Sequence, residues 1–163
     1  RQMCIRDRYE AVNSIYCYPD SDVLVNKLNI HDNKKLATVE RKLVLLKLYT
    51  LRQNKNIGNF DIHHFLSIHK FLFEDIYPFA GKIRSEDIAK GSFRFAKWEY
   101  IEDELRKLLD KLSKDNLKNL SKEEMAKKLA YYMSELNVLH PFREGNGRTI
   151  REFIRQLAYV NRI

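Results

Sequence analysis

Residues 121–157 read SKEEMAKKLAYYMSELNVLHPFREGNGRTIREFIRQL, and this stretch decides the fold. Ser121 and Glu124 form a capping box, each satisfying an orphan donor at a helix start. Behind it Met125, Leu129, Tyr132, Met133, Leu136 and Leu139 recur at helical spacing and predict a buried stripe. Pro141 disfavours helix at His140 and turns the chain. Gly145 and Gly147 allow positive φ and a close approach to the backbone. A second helix follows, with Ile150, Phe153, Ile154 and Leu157 as its apolar face. Two amphipathic helices joined by a tight loop must pack on further helices to bury those faces.

Upstream the pattern continues. A helix is expected from about Lys34 to Arg52, with Leu36, Val39, Leu43 and Leu46 inward and Val44, Leu48 and Leu51 widening the stripe. Before it, Tyr18–Pro19–Asp20–Ser21–Asp22 reads as a turn, and Asp22 as the N-cap of a short helix carrying Val23, Leu24 and Leu28. Gly58 breaks the chain, and Asp61 caps a helix bearing Phe65, Leu66, Ile68, Leu72 and Phe73, ended by Pro78 and Gly81. Ser92–Phe93–Arg94–Phe95–Ala96 alternates and predicts a short ribbon after Gly91. A further helix covers about Glu99 to Leu112, and 115–120 form a polar connection. The expected fold is all-α, a helical bundle with one small β-hairpin.

Composition sets the class. The chain has 163 residues, a net charge of +8, 44% hydrophobic residues, nine Phe and nine Tyr, too apolar for a disordered chain. Lys47 already interrupts the apolar run Leu43–Leu51, well short of the ~20 residues of a membrane helix. Cys4 and Cys17 are too few for a disulfide scaffold or a cysteine zinc site, which predicts a soluble protein of a reducing compartment. The positive charge is largely Lys scattered among acids, the pattern of solvated helix faces rather than of a nucleic-acid surface. Both ends read as cut. Position 1 is Arg, residues 1–8 are set aside from fold reasoning, and Val160–Ile163 stops without a cap. This divides the chain into an extension, 1–15, and a domain, 16–163, whose core is 58–163 and whose C-terminus is expected to be truncated.

The chemistry concentrates in His140–Arg151. A glycine turn opening a helix leaves amide N–H groups outward at the positive end of a dipole, a nest for phosphate. Arg148, Arg151 and Arg155 stand at i, i+3 and i+7, away from the apolar stripe. Positive charge at a helix N-terminus is unfavourable in itself, so an anion is expected there. Glu144 offers one hard oxygen, and Mg²⁺ takes one or two carboxylates beside substrate phosphates. His140 alone in the group accepts a proton near neutral pH. His63, His64 and His69 are read as packing residues, because His64 and His69 do not share the i, i+4 face of a helical metal pair.

His140–Arg151 resembles the signature of the Fic/Doc family, His-Pro-Phe-x-Asp/Glu-Gly-Asn-Gly-Arg-x-x-Arg, at every defined position. Tyr18–Leu24 with Asn26–Lys27, Phe60–Asp61, Ile68–His69, Leu72–Phe73, Tyr77, Ala80–Gly81 and Arg84 extend the likeness from about residue 16 to the end. Phe79 departs from it, where relatives often carry Trp, with an effect expected on packing only. The resemblance implies a Fic-like bundle with a flap, and a protein adenylyltransferase of the bacterial toxin or effector type. Such an enzyme transfers AMP from ATP to a Ser, Thr or Tyr hydroxyl of a target protein and releases pyrophosphate.

Carried onto this chain, the resemblance makes His140 the general base and Glu144 the Mg²⁺ ligand. The amides of Gly145, Asn146 and Gly147 would bind phosphate oxygens, with Arg148 and Arg151 as clamp and Phe142 as anchor of the loop. The ribbon around Lys90, Gly91 and Ser92 resembles the flap. Its segment Lys90–Phe95 would border the nucleotide and pair with an extended target strand. An inhibitory helix of the form Ser/Thr-x-x-x-Glu-Gly/Asn is not found in residues 1–163, so the expectation is that either a separate antitoxin partner supplies it or it lies outside this segment. The implied location is the bacterial cytoplasm or, for an effector, a host cell; no membrane partner is expected. Three alternatives stand beside this reading. One is a Doc-like kinase, which typically carries Lys where Gly147 stands. The others are UMP or phosphocholine transfer and a basic nucleic-acid-binding domain. The enzymatic reading requires an accessible imidazole at His140 and loop amides that face a cavity.

Overall fold

The computed structural model describes residues 14–53, 57–118 and 120–162. Among the described residues there are five helices: α1 (Asn33–Gln53), α2 (Ile62–Phe73), α3 (Trp98–Lys114), α4 (Lys122–Leu139) and α5 (Asn146–Val160). A hairpin, β1 (Ala89–Lys90) with β2 (Phe93–Arg94), pairs antiparallel with Lys90 opposite Phe93. The all-α expectation with one small ribbon is therefore met. Cys4 and most of the 1–15 extension lie outside the described residues; Ser14 and Ile15 bond through the Ser14 hydroxyl and the Ile15 amide to the Glu86 carboxylate.

α2 is the hub, packing on α1, α3 and α5. Phe65, Ile68, Leu72 and Phe73 are buried on it, and the Asp61 side chain caps its start by accepting the His64 N–H at 2.8 Å. α4 and α5 pack together, with Met125, Tyr132 and Leu136 facing Ile150, Phe153 and Leu157 in one core. The Ser121–Glu124 capping box forms with both of its bonds. Phe79 is buried and stacks on Tyr77, a packing role as expected.

Three readings need correction. The segment after Asp22 is not a helix. Asn26 organises it as a loop, its side chain donating to Leu24 O and Ile30 O and accepting from the Leu28 and Ile30 amides. Four local bonds from one amide outcompete the helical ones. Leu46 and Met133 are exposed, because the real stripes are narrower than the apolar spacing suggests. On α1 the buried line runs Leu36, Glu40, Val44, and a carboxylate holds the central place.

Candidate active site

The loop between α4 and α5 is held from every side. His140 ends α4 in the left-handed region (φ 47°, ψ 62°), its N–H still bonded to Leu136 O at 3.0 Å. A non-glycine residue adopts that conformation only where its surroundings over-determine it. Here the fully buried Arg84 does so. Its Nε donates to His140 O at 2.9 Å, and its Nη groups donate to Glu86 O, Ala96 O and Leu139 O. Its own amide donates to Pro141 O at 2.9 Å. Further along, Asn146 bridges the loop: its Oδ1 accepts the Phe142 N–H at 2.8 Å and its Nδ2 donates to Phe142 O at 2.6 Å. Phe142 is the expected anchor, buried between His69 (3.7 Å, stacked) and Phe65.

His69 is structural, as read, but it serves the loop. The Gly81 N–H donates to its Nδ1 at 2.8 Å, so Nε2 carries the proton and donates to Glu144 O at 2.9 Å. Burial pushes its pKa down to about 3, keeping the neutral tautomer that makes both bonds. His64 is likewise fixed, between the Phe60 amide and Gln156 Oε1.

The His140 ring departs from the open imidazole expected. Only 6% of the residue is exposed, and Phe95, just past β2, stacks over the ring at 3.8 Å. Its Nδ1 donates to Asn137 O at 3.1 Å, which leaves the acceptor lone pair of the neutral ring at Nε2. Desolvation, with smaller contributions from Arg84 and Lys90, lowers its pKa to about 4. The ring is therefore an uncharged proton acceptor at neutral pH, and the access that the enzymatic reading requires is not met while Phe95 covers it.

α5 begins as the sequence predicts. Gly145 sits at φ 83°, and a Cβ there would lie 2.3 Å from Phe73 Cζ, so only glycine fits. Gly147 differs from expectation. It lies inside the first turn of α5 without positive φ, and what it admits is the Arg151 guanidinium, 3.1 Å from where its Cβ would stand. Asn146, Gly147 and Arg148 are first-turn residues with no preceding helical carbonyl for their amides. Glu144 Oε1 lies at this terminus, accepting the Gly145 N–H at 2.9 Å and facing Arg148 Nη2 at 3.4 Å. The Arg face predicted as one stripe divides into three. Arg148 turns inward to Glu40 (2.7 Å), Arg151 is exposed, and Arg155 pairs with the buried Glu152, which also takes Arg52.

Glu144 fits a Mg²⁺ ligand. Its side chain is part-exposed at a positive helix end, and among the described residues no group of three or more His, Cys, Asp or Glu could hold a metal alone. A cation there would draw its remaining ligands from phosphate and water. The hairpin exposes Lys90, Gly91 and Ser92, and of these Lys90 is near enough to act on the His140 charge. Among the described residues no helix is long and apolar enough to cross a membrane. Sequence reasoning missed Arg84, His69 and Glu40 as site supports. A charged residue on a buried helical line was the available signal for Glu40.

The Fic/DOC family model matches residues 59–158. The chain is 42% identical over 152 residues to the protein adenylyltransferase VbhT of Bartonella schoenbuchensis, covering 93% of this chain but only 32% of that protein. It is 38% identical to the probable protein adenylyltransferase y4lH of Sinorhizobium fredii, covering 93% of this chain and 78% of that one. The crystal structure of BepC, a VirB-translocated effector protein of Bartonella tribocorum with bound AMPPNP, superposes with a TM-score of 0.84 at 30% identity, over 90% of this chain and 77% of that one. With the signature loop built as described and a family match across most of its helices, the chain belongs to the Fic/DOC family.

Proposed function

We propose that this chain is a protein adenylyltransferase that moves AMP from ATP to a Ser, Thr or Tyr hydroxyl of a target protein. One observation carries the reading: a neutral, oriented imidazole lies one loop away from a helix N-terminus flanked by Glu144, Arg148 and Arg151. The names of the relatives and the AMPPNP bound to BepC support it.

His140 Nε2 takes the proton of the incoming hydroxyl, whose oxygen attacks the α-phosphorus. The bond from the α-phosphorus to the bridging oxygen breaks, and pyrophosphate leaves with its electron pair. The first-turn amides of α5 hold phosphate oxygens, and Arg148 and Arg151 meet the charge on the β- and γ-phosphates. Glu144 would hold Mg²⁺, which when bound offsets charge on the phosphates. The target segment pairs with the flap Lys90–Phe95 and lifts Phe95 from the imidazole as it enters. A separate antitoxin would restrain the enzyme by bringing a carboxylate to Arg151. The reaction takes place in the bacterial cytoplasm or, after translocation, in a host cell.

The test is incubation of purified protein with ATP labelled at the α or the γ position, Mg²⁺ and a bacterial lysate. Label on protein from the α position alone is the expected result. Label from the γ position alone makes it a kinase and overturns the proposal.

A further inference from the structure

α1 lies outside the signature loop, yet it sends one buried carboxylate to that loop. Glu40 is 1% exposed, on the line of Leu36 and Val44. Its Oε1 meets Arg148 Nη2 at 2.7 Å, and its Oε2 accepts the Tyr77 hydroxyl. Burial and the Glu40 carboxylate hold the Tyr77 phenol protonated far above its ordinary range, so it stays a donor. The Arg148 guanidinium also lies over the Phe73 ring at 4.8 Å and faces Glu144 Oε1 at 3.4 Å. A buried carboxylate is costly to desolvate, and breaking such a pair leaves an uncompensated charge. Its neighbours are the first turn of α5 and the hydroxyl of a core tyrosine.

We infer that Glu40 is a positioning residue: it fixes the Arg148 guanidinium in one orientation at the start of α5, and acts on the reaction only through that arginine. Three contacts, with Glu40, Phe73 and Glu144, hold Arg148 where a lone arginine would sample many rotamers. A preset guanidinium meets developing phosphate charge without reorganising, which is where such a group gains its effect. Tyr77 in turn holds the carboxylate. The inference rests on the proposed role of Arg148 toward phosphate.

The test is a double-mutant cycle of Glu40→Gln and Arg148→Ala, read as kcat and KM for ATP in transfer of α-label and as affinity for AMPPNP. Glu40→Gln keeps shape and one acceptor while removing the charge. In the native background it lowers kcat by about tenfold, the scale of a misplaced contact. On Arg148→Ala it changes kcat by less than about twofold. An equal loss in both backgrounds, or none in the native one, overturns the inference. If Arg148→Ala leaves kcat, KM and AMPPNP affinity at native levels, the phosphate role of Arg148 itself fails, a result distinct from the others. Should Glu40→Gln not fold, Tyr77→Phe, which removes only the hydroxyl, replaces it in the same cycle with a smaller loss judged by the same non-additivity.

Discussion

The loop 140–151 and the hairpin 89–94 meet over one imidazole, but they are built in opposite ways. In the loop, Pro141 O, both backbone polar groups of Phe142 and the Glu144 carbonyl all have assigned partners, and Phe142 lies buried between two rings. The hairpin has two-residue strands and exposes Phe93, and its ties to the body include the Phe95 ring on His140, the Ala96 N–H on Val138 O and Arg84 on Ala96 O. A group that must hold reacting atoms gains from having no alternative conformation. An edge that must accept a strand gains from unpaired backbone and low local stability. The contrast is the one the proposed function calls for, with the reacting groups held fast and the target strand received at the hairpin.

Five experiments put that contrast at risk. His140→Ala has the largest expected effect, a loss of transfer of about 10²–10⁴-fold with ATP still bound. Turnover at the native rate, measured with α-labelled ATP, sinks the base assignment. Next, Asn146→Ala strips partners from both backbone groups of Phe142. At about 1–3 kcal/mol for each buried orphan, stability falls by roughly 2–6 kcal/mol in urea denaturation. A loss below 0.5 kcal/mol, on the scale of an ordinary surface change, means the loop is not held as described.

Phe95→Ala tests the cover. The neutral ring is the active form, so activity is present above the His140 pKa and falls as pH drops through it. With Phe95 in place that limb lies near 4, and opening the ring to water moves it up toward 6.5. An unmoved limb in the pH profile of kcat/KM assigns the desolvation to other groups. His140 and His69 also predict a stability trend of definite sign. Unfolded histidines take up protons below 6.5 while the folded ones resist until about 4 and 3. Stability is therefore lost as pH falls below 6.5, by at most about 1.4 kcal/mol per unit for each ring. The smallest effect is that of Gly91→Ala. Gly91 sits at φ 57° with open space around it, so the cost of about 1 kcal/mol is confined to the hairpin. The melting temperature stays put while labelling of target protein weakens; a global loss of stability would tie the hairpin to the core.

Much of this molecule is legible in its residues. The capping box at Ser121, the cap at Asp61 and the stripe Ile150–Phe153–Leu157 are local signals that tertiary packing leaves intact. The loop after Asp22 escapes the spacing argument because the Asn26 side chain bonds four backbone groups of three residues at once, a geometry that spacing does not encode. Leu46 and Met133 were assigned inward because periodicity ranks apolar residues but does not say where a neighbouring helix ends.

The helical class, the position of the turn at Pro141 and Gly145, and the set of chemical groups in the loop can all be read from the residues. These follow from backbone sterics and local hydrogen bonding, which act over a few residues. Tertiary structure alone decided that Phe95 covers His140, that Arg84 and His69 hold the loop, and that Glu40 claims Arg148 from the opposing helix. Those contacts join residues that only packing brings together, and the desolvation that sets their charge states exists only once the core has closed around them.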